Sequence, residues 1–164
     1  MLNTSQNRSD VIKDFPLLME DSNFEIVDSS PNYNCIAWAA NVTDMWWDKL
    51  PINLRPAIRF DGVKVDWPFN APDEFSTKAL LHIFTSLKFE VCSNGDYEAG
   101  FKKVVIYEKN GAATHMARQL TNGINKGIWS SKLGSSYRVL HSTPENLISI
   151  HYGEPKIYLK KSMN

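Results

Sequence analysis

The sequence predicts an α+β domain in which helices come first and an antiparallel sheet follows. Three observations predict it. Behind Asn34, apolar side chains recur at near-helical spacing (Ile36, Trp38, Ala39, Ala40, Val42). Residues 72–87 repeat that pattern as a longer stripe, with Phe75, Ala79, Leu80, Ile83, Phe84 and Leu87 on one face. From residue 101 the period changes to that of strands separated by Asn-Gly and Gly-rich turns. Helical segments followed by consecutive strands give α+β rather than a doubly wound parallel sheet. At 164 residues one domain is expected, spanning 1–164.

In chain order, residues 1–12 are polar and read as loose. Residues 14–30 hold a short turn or strand, and the polar run 28–34 that closes it reads as a loop. Asn34 is an acceptable N-cap, because its side-chain oxygen can take an orphan amide of the first turn, which makes Cys35 a first-turn residue. Residues 48–75 carry four prolines and read as loop, with a hairpin around "FDG". "FKKVVIYEKNGAATHMARQL" is a strand, a turn and a strand, and "GIWSSKLG" is a third strand of the same meander. Thr143 before Pro144 opens a short helix. "PKIYLKK" reads as an edge strand.

Composition narrows the function classes. Eighteen basic residues balance eighteen acidic ones, which leaves no overall electrostatic footprint for nucleic acid or anionic lipid. No apolar run reaches the ~20 residues of a membrane span, and the polar N-terminus shows no secretory signal, so a cytoplasmic chain is expected; export by a signal-less system stays open. The two cysteines, Cys35 and Cys92, are expected to stay reduced, with Cys92 a core thiol at a strand end.

Two residues could carry chemistry. A thiolate is the nucleophilic form of cysteine, and the N-terminus of a helix, where Cys35 stands, favours negative charge. The first-turn amides, with Asn34, could donate to an oxyanion. In "GAATHMARQL" regular alternation puts His115, Ala117 and Gln119 on one face, where small neighbours Ala113 and Ala117 would let a helix lie close and bring a sulfur to the imidazole. A residue on the neighbouring strand would orient that imidazole: Ser131, or His141 in its place.

"NCIAWAA", "THMARQL" and "IWSSKLG" together resemble an uncharacterised bacterial domain family with Asn-Cys-x-Ala-Trp-Ala, Thr-His-x-Ala-Arg-Gln and Trp-x-Ser-Lys-Leu-Gly blocks, over about residues 32–134. The layout is similar to papain-like thiol hydrolases of the NlpC/P60 type. That resemblance implies helices packed on an antiparallel sheet, Cys35 as nucleophile and His115 as general base. It supplies no match for their usual third residue.

The candidate catalytic set is therefore Cys35, His115 and Ser131, and the candidate oxyanion and substrate-binding set is Asn34, Trp38, Gln119 and Lys132. Trp47 is a further candidate for lining a substrate groove. The expected partner is a peptide, protein or cell-wall amide. No cofactor or metal is expected, since no histidine pair has ligand spacing with a cysteine or carboxylate. The alternative is a non-catalytic binding or immunity module on the same fold, engaging a protein partner.

Overall fold

A computed structural model describes residues 1–164. The first element departs from expectation, because residues 5–14 form a helix, α1 (Ser5–Asp14). The Thr4 hydroxyl caps it by accepting from the Asn7 amide, and Arg8 donates to the Phe24 carbonyl at 2.7 Å. Val11 turns inward against Phe15 and Leu18, so even a polar helix is held by one apolar stripe. A 3-10 turn (Pro16–Glu20) leads to β1 (Glu25–Ser29).

Helix α2 (Cys35–Ala39) starts as expected but is shorter than its apolar pattern. It stops where Asn41 takes a left-handed conformation, φ 65°. β2 (Trp46–Trp47), β3 (Ala57–Ile58) and β4 (Lys64–Asp66) form a small sheet in the order β2-β4-β3. Its β3–β4 half is the expected "FDG" hairpin, while the parallel β2–β4 pairing was not legible. Helix α3 (Thr77–Ser86) begins at a Ser76 cap, later than the apolar stripe suggested.

β5 (Glu90–Cys92), β6 (Phe101–Lys109), β7 (Ala112–Gln119), β8 (Trp129–Lys132) and β9 (Tyr137–His141) follow, and after a 3-10 turn (Pro144–Leu147) the chain ends in β10 (Glu154–Ser162). The large sheet has the order β1-β9-β8-β7-β6-β10-β5, every pair antiparallel. Helices, then a large antiparallel sheet: the α+β class holds. β10 is an interior strand rather than an edge, because β5, far earlier in the chain, covers its open side.

Alternation along the strands sends side chains into two apolar layers. Val104, Ile106 and Met116 join the layer built from α2, α3, Trp47 and Trp67. Val105, Tyr107, Ala117 and Val139 join the layer with Phe15, Leu18 and Leu147. The β6–β7 turn has Asn110 and Gly111 both at positive φ, as a tight two-residue hairpin requires. One extra residue, Thr114, interrupts the β7 ladder, since Tyr107 faces His115 but Glu108 faces Ala113. That bulge reverses side-chain parity.

Gly153, before β10, lies at φ 69°, and a Cβ there would stand 2.1 Å from the Glu108 carbonyl oxygen. Backbone cannot yield as a side chain can. Gly153→Ala is expected to lower unfolding free energy by about 3 kcal/mol in urea titration.

Candidate active site

Cys35 is the first residue of α2, and Asn34 sets it there. Asn34 Oδ1 accepts from the Ala37 amide at 3.2 Å and the Trp47 amide at 3.1 Å, while Nδ2 donates to the Trp47 carbonyl at 2.6 Å. The same side chain thus caps the helix and clamps β2 beside it. Only one Nδ2 hydrogen remains for any oxyanion, so the expected oxyanion residue is first a structural one.

The cysteine lines an open cleft of about 500 Å³ with Trp46, Phe75, Thr114, His151 and Tyr152. The residue is half-buried at the cleft, and burial pushes the thiol up to about 11. The backbone amides of Met116, Ile36 and Cys35 itself oppose that rise, while the Asp48 charge adds to it. At neutral pH the sulfur is a thiol.

Ladder pairing between β7 and β8 is confined to Arg118–Ser130 and Gln119–Trp129. Beyond those pairs the ladder ends. Helix α2 packs on β7, with the Cys35 sulfur on its first turn. No hydrogen bond links the sulfur to the imidazole. The bulge explains why: Ala113 and Met116 face α2, whereas His115 turns to the other layer, against Tyr107 and Tyr152. The regular "AxHxA" face expected from sequence does not form.

His115 belongs to a buried polar chain. Its Nε2 lies 3.0 Å from Ser131 Oγ, Ser131 Oγ lies 2.9 Å from His141 Nε2, and His141 Nδ1 lies 2.8 Å from the Thr143 carbonyl. The proton positions follow by elimination. A carbonyl only accepts, so His141 carries its hydrogen on Nδ1 and presents a bare Nε2. Ser131 then donates to His141 and accepts from His115 Nε2–H. The lone pair of His115 is thereby fixed on Nδ1, a buried atom with no hydrogen-bond partner. Burial keeps both rings neutral. His141 drops to about 4, and His115 lies well below the usual imidazole range, with nearby His141 adding to the effect. Both candidate orienters, Ser131 and His141, act in series.

The other expected residues stand elsewhere. Trp38 is outside the cleft, with the Arg118 and Arg138 guanidiniums at 4.0 and 4.4 Å from its ring. The tryptophan at the cleft is Trp46, while Trp47 is buried. Gln119, four residues and ~13 Å along β7 from His115, donates to the Gly95 and Gly127 carbonyls. Lys132 is fully buried rather than displayed. Its ammonium donates to the Gly134 carbonyl at 2.7 Å and lies over Tyr33, and burial brings it down to about 8 against the opposing pull of Asp28 and Cys35. Cys92 is free and half-exposed at the end of edge strand β5, not a core thiol.

Sequence reasoning passed over His151 and Tyr152. His151 is half-exposed at the cleft and pairs with Asp14 at 3.3 Å. Tyr152 also lines the cleft, and its ring lies flat on His115, centroids 4.0 Å apart and 5° from parallel. Neither has a local signal, because both come from the loop that returns the chain to β10. No helix of the molecule is long and apolar enough to cross a membrane.

No curated protein and no solved structure matches this chain. A family match spans residues 26–160, from β1 into β10, and contains every candidate residue above. The chain belongs to the family described as Domain of unknown function (DUF7689).

Proposed function

We propose that the chain is a papain-like cysteine hydrolase acting on an amide or peptide bond at the Cys35 cleft. The observation that carries this reading is the enforced tautomer of His115: its lone pair is fixed on a buried, unpartnered Nδ1, on a ring stacked against Tyr152, which lines the Cys35 cleft. An orphaned buried nitrogen costs stability and calls for a reason, and a general base supplies one.

In this reading the ground state is a neutral pair, with no stored thiolate. As Sγ forms its bond to the substrate carbonyl carbon, the thiol proton passes to His115 Nδ1, and the first-turn amides take the oxyanion. Collapse breaks the C–N bond, His115 returns the proton to the leaving amine, and water hydrolyses the thioester. Ser131 and His141 hold the ring throughout without changing their own protonation. The aromatic walls, Trp46, Phe75 and Tyr152, suit an extended peptide or a side-chain amide.

Two observations favour a second reading, a non-catalytic binding or immunity module: the thiol held up at about 11, and the missing sulfur–imidazole hydrogen bond. Iodoacetamide labelling followed by mass spectrometry separates the two. For a hydrolase, Cys35 labels in the folded protein at pH 7, His115→Gln slows it about tenfold, and His151→Gln leaves it within about twofold. Equal rates in wild type and His115→Gln, or no labelling before unfolding, leave only the binding module.

A further inference from the structure

Net neutrality hides one place where positive charge gathers in excess. A hollow of about 470 Å³ lies beyond the C-terminal end of α2, away from the Cys35 cleft, and Lys102, Arg118 and Lys161 line it. Lys102 and Lys161 stand directly opposite one another on β6 and β10, which puts both ammoniums on one face. Both reach over the same Phe89 ring, at 5.9 and 5.8 Å. Arg118, opposite Val104 on the neighbouring strand, shares that face. Like charges directly across a ladder are destabilising. Here none of the three cations takes part in any of the molecule's ion pairs. No acidic side chain lines the hollow, which is otherwise furnished with neutral hydrogen-bonding groups such as Thr121, Asn122 and Ser162. Asn164 borders it too, but its α-carboxylate pairs with none of the three cations.

The surroundings show that the surplus is local. Lys160 is neutralised by Glu98 at 2.9 Å, and the buried Lys103 gives its ammonium to the Asn94 carbonyl at 3.1 Å. Arg118 is already positioned, donating to Asn41 Oδ1 at 2.8 Å while it stacks on Trp38. Burial, then Lys161 and Arg118, lowers Lys102, the strain expected of a cation waiting for a counter-charge.

We infer that this hollow binds the phosphoryl group of a small phosphate ester. Three convergent cations match a dianion better than the single charge of a carboxylate, and hydroxyl and amide donors complete a phosphate's acceptor oxygens. The volume falls within the range of small-ligand pockets, leaving room for a modest organic remainder. Confinement of the charge argues against a polyanion track. The site is independent of the Cys35 chemistry.

The test is a thermal-melt and calorimetric titration at constant ionic strength with pyrophosphate, a hexose phosphate and chloride, beside a 12-nucleotide single strand. Saturable binding of the small phosphates, absent with chloride, is expected. Lys102→Gln and Lys161→Gln should each weaken it about fivefold or more, with Lys156→Gln as a control that changes nothing. Without ligand, either of the two site variants should melt no lower than wild type, because it relieves repulsion. Unsaturable binding, equal binding by the variants, or tighter binding of the oligonucleotide than of the hexose phosphate would overturn the assignment.

Discussion

Ser131→Ala is expected to lower the unfolding free energy by about 3 kcal/mol, a large effect for one oxygen atom. Ser131, His115 and His141 are all fully buried, and the hydroxyl is the hinge of their chain. It donates to one ring and accepts from the other. Its removal strands an N–H on His115 and a bare nitrogen on His141, each costing about 1–3 kcal/mol when buried and unpaired. Because the three act as a unit, the losses should not add. Once Ser131 is gone, His141→Leu should cost much less than in wild type, a coupling that a double-mutant cycle in urea measures directly. Additive losses, or a Ser131→Ala cost under about 1 kcal/mol, would mean that the rings are not held as a chain. The same variant should loosen the His115 tautomer, visible as a changed pattern of its ring nitrogen shifts.

The second large effect is the pH dependence that buried His141 and the Cys35 thiol impose on stability, with opposite signs. His141 titrates near 6.5 when unfolded and near 4 when folded, so the unfolded chain binds the extra proton first as pH drops. Its contribution is present above pH 6.5 and lost as pH falls towards 4, a difference of about 3 kcal/mol. His115, lowered by burial as well, acts in the same direction. Cys35 has the opposite sign. Its thiol ionises near 9 unfolded and near 11 folded, so stability falls as pH rises through that interval, again by about 3 kcal/mol. Lys132, lowered to about 8 by burial, acts in the opposite sense over much of that interval, so the Cys35 contribution is read from the difference between wild type and Cys35→Ala above pH 9. His141→Leu should flatten the acid limb of melting temperature against pH, and Cys35→Ala should take the thiol's share of the fall out of the alkaline one. If Cys35→Ala leaves the alkaline limb unchanged, the sulfur is exposed and ordinary.

What a chain reveals before it folds depends on the range of each signal. The Asn34 cap, the Asn110-Gly111 turn and the Thr143 start were legible because each depends on residues within about four positions. The capping partner of Thr143 proved to be Asn146, whose side chain accepts from the Thr143 amide at 2.9 Å. Helix α1 was missed because one inward valine and a Phe24 carbonyl hold a polar segment that has little propensity pattern of its own. The edge assignment of β10 failed because its polar, lysine-rich sequence carries no trace of distant β5.

By itself the sequence determined the α+β class and the position of Cys35 in the first turn of a helix, and it named Ser131 or His141 as a partner for His115. These follow from local hydrogen bonding and side-chain period, which are set within a few residues. Only the tertiary structure decided that Ser131 and His141 work in series, that Tyr152 covers the imidazole, and that three cations share one hollow. Face parity and strand order are long-range quantities: a single extra residue at Thr114 reverses which layer a side chain enters, and no local pattern records it.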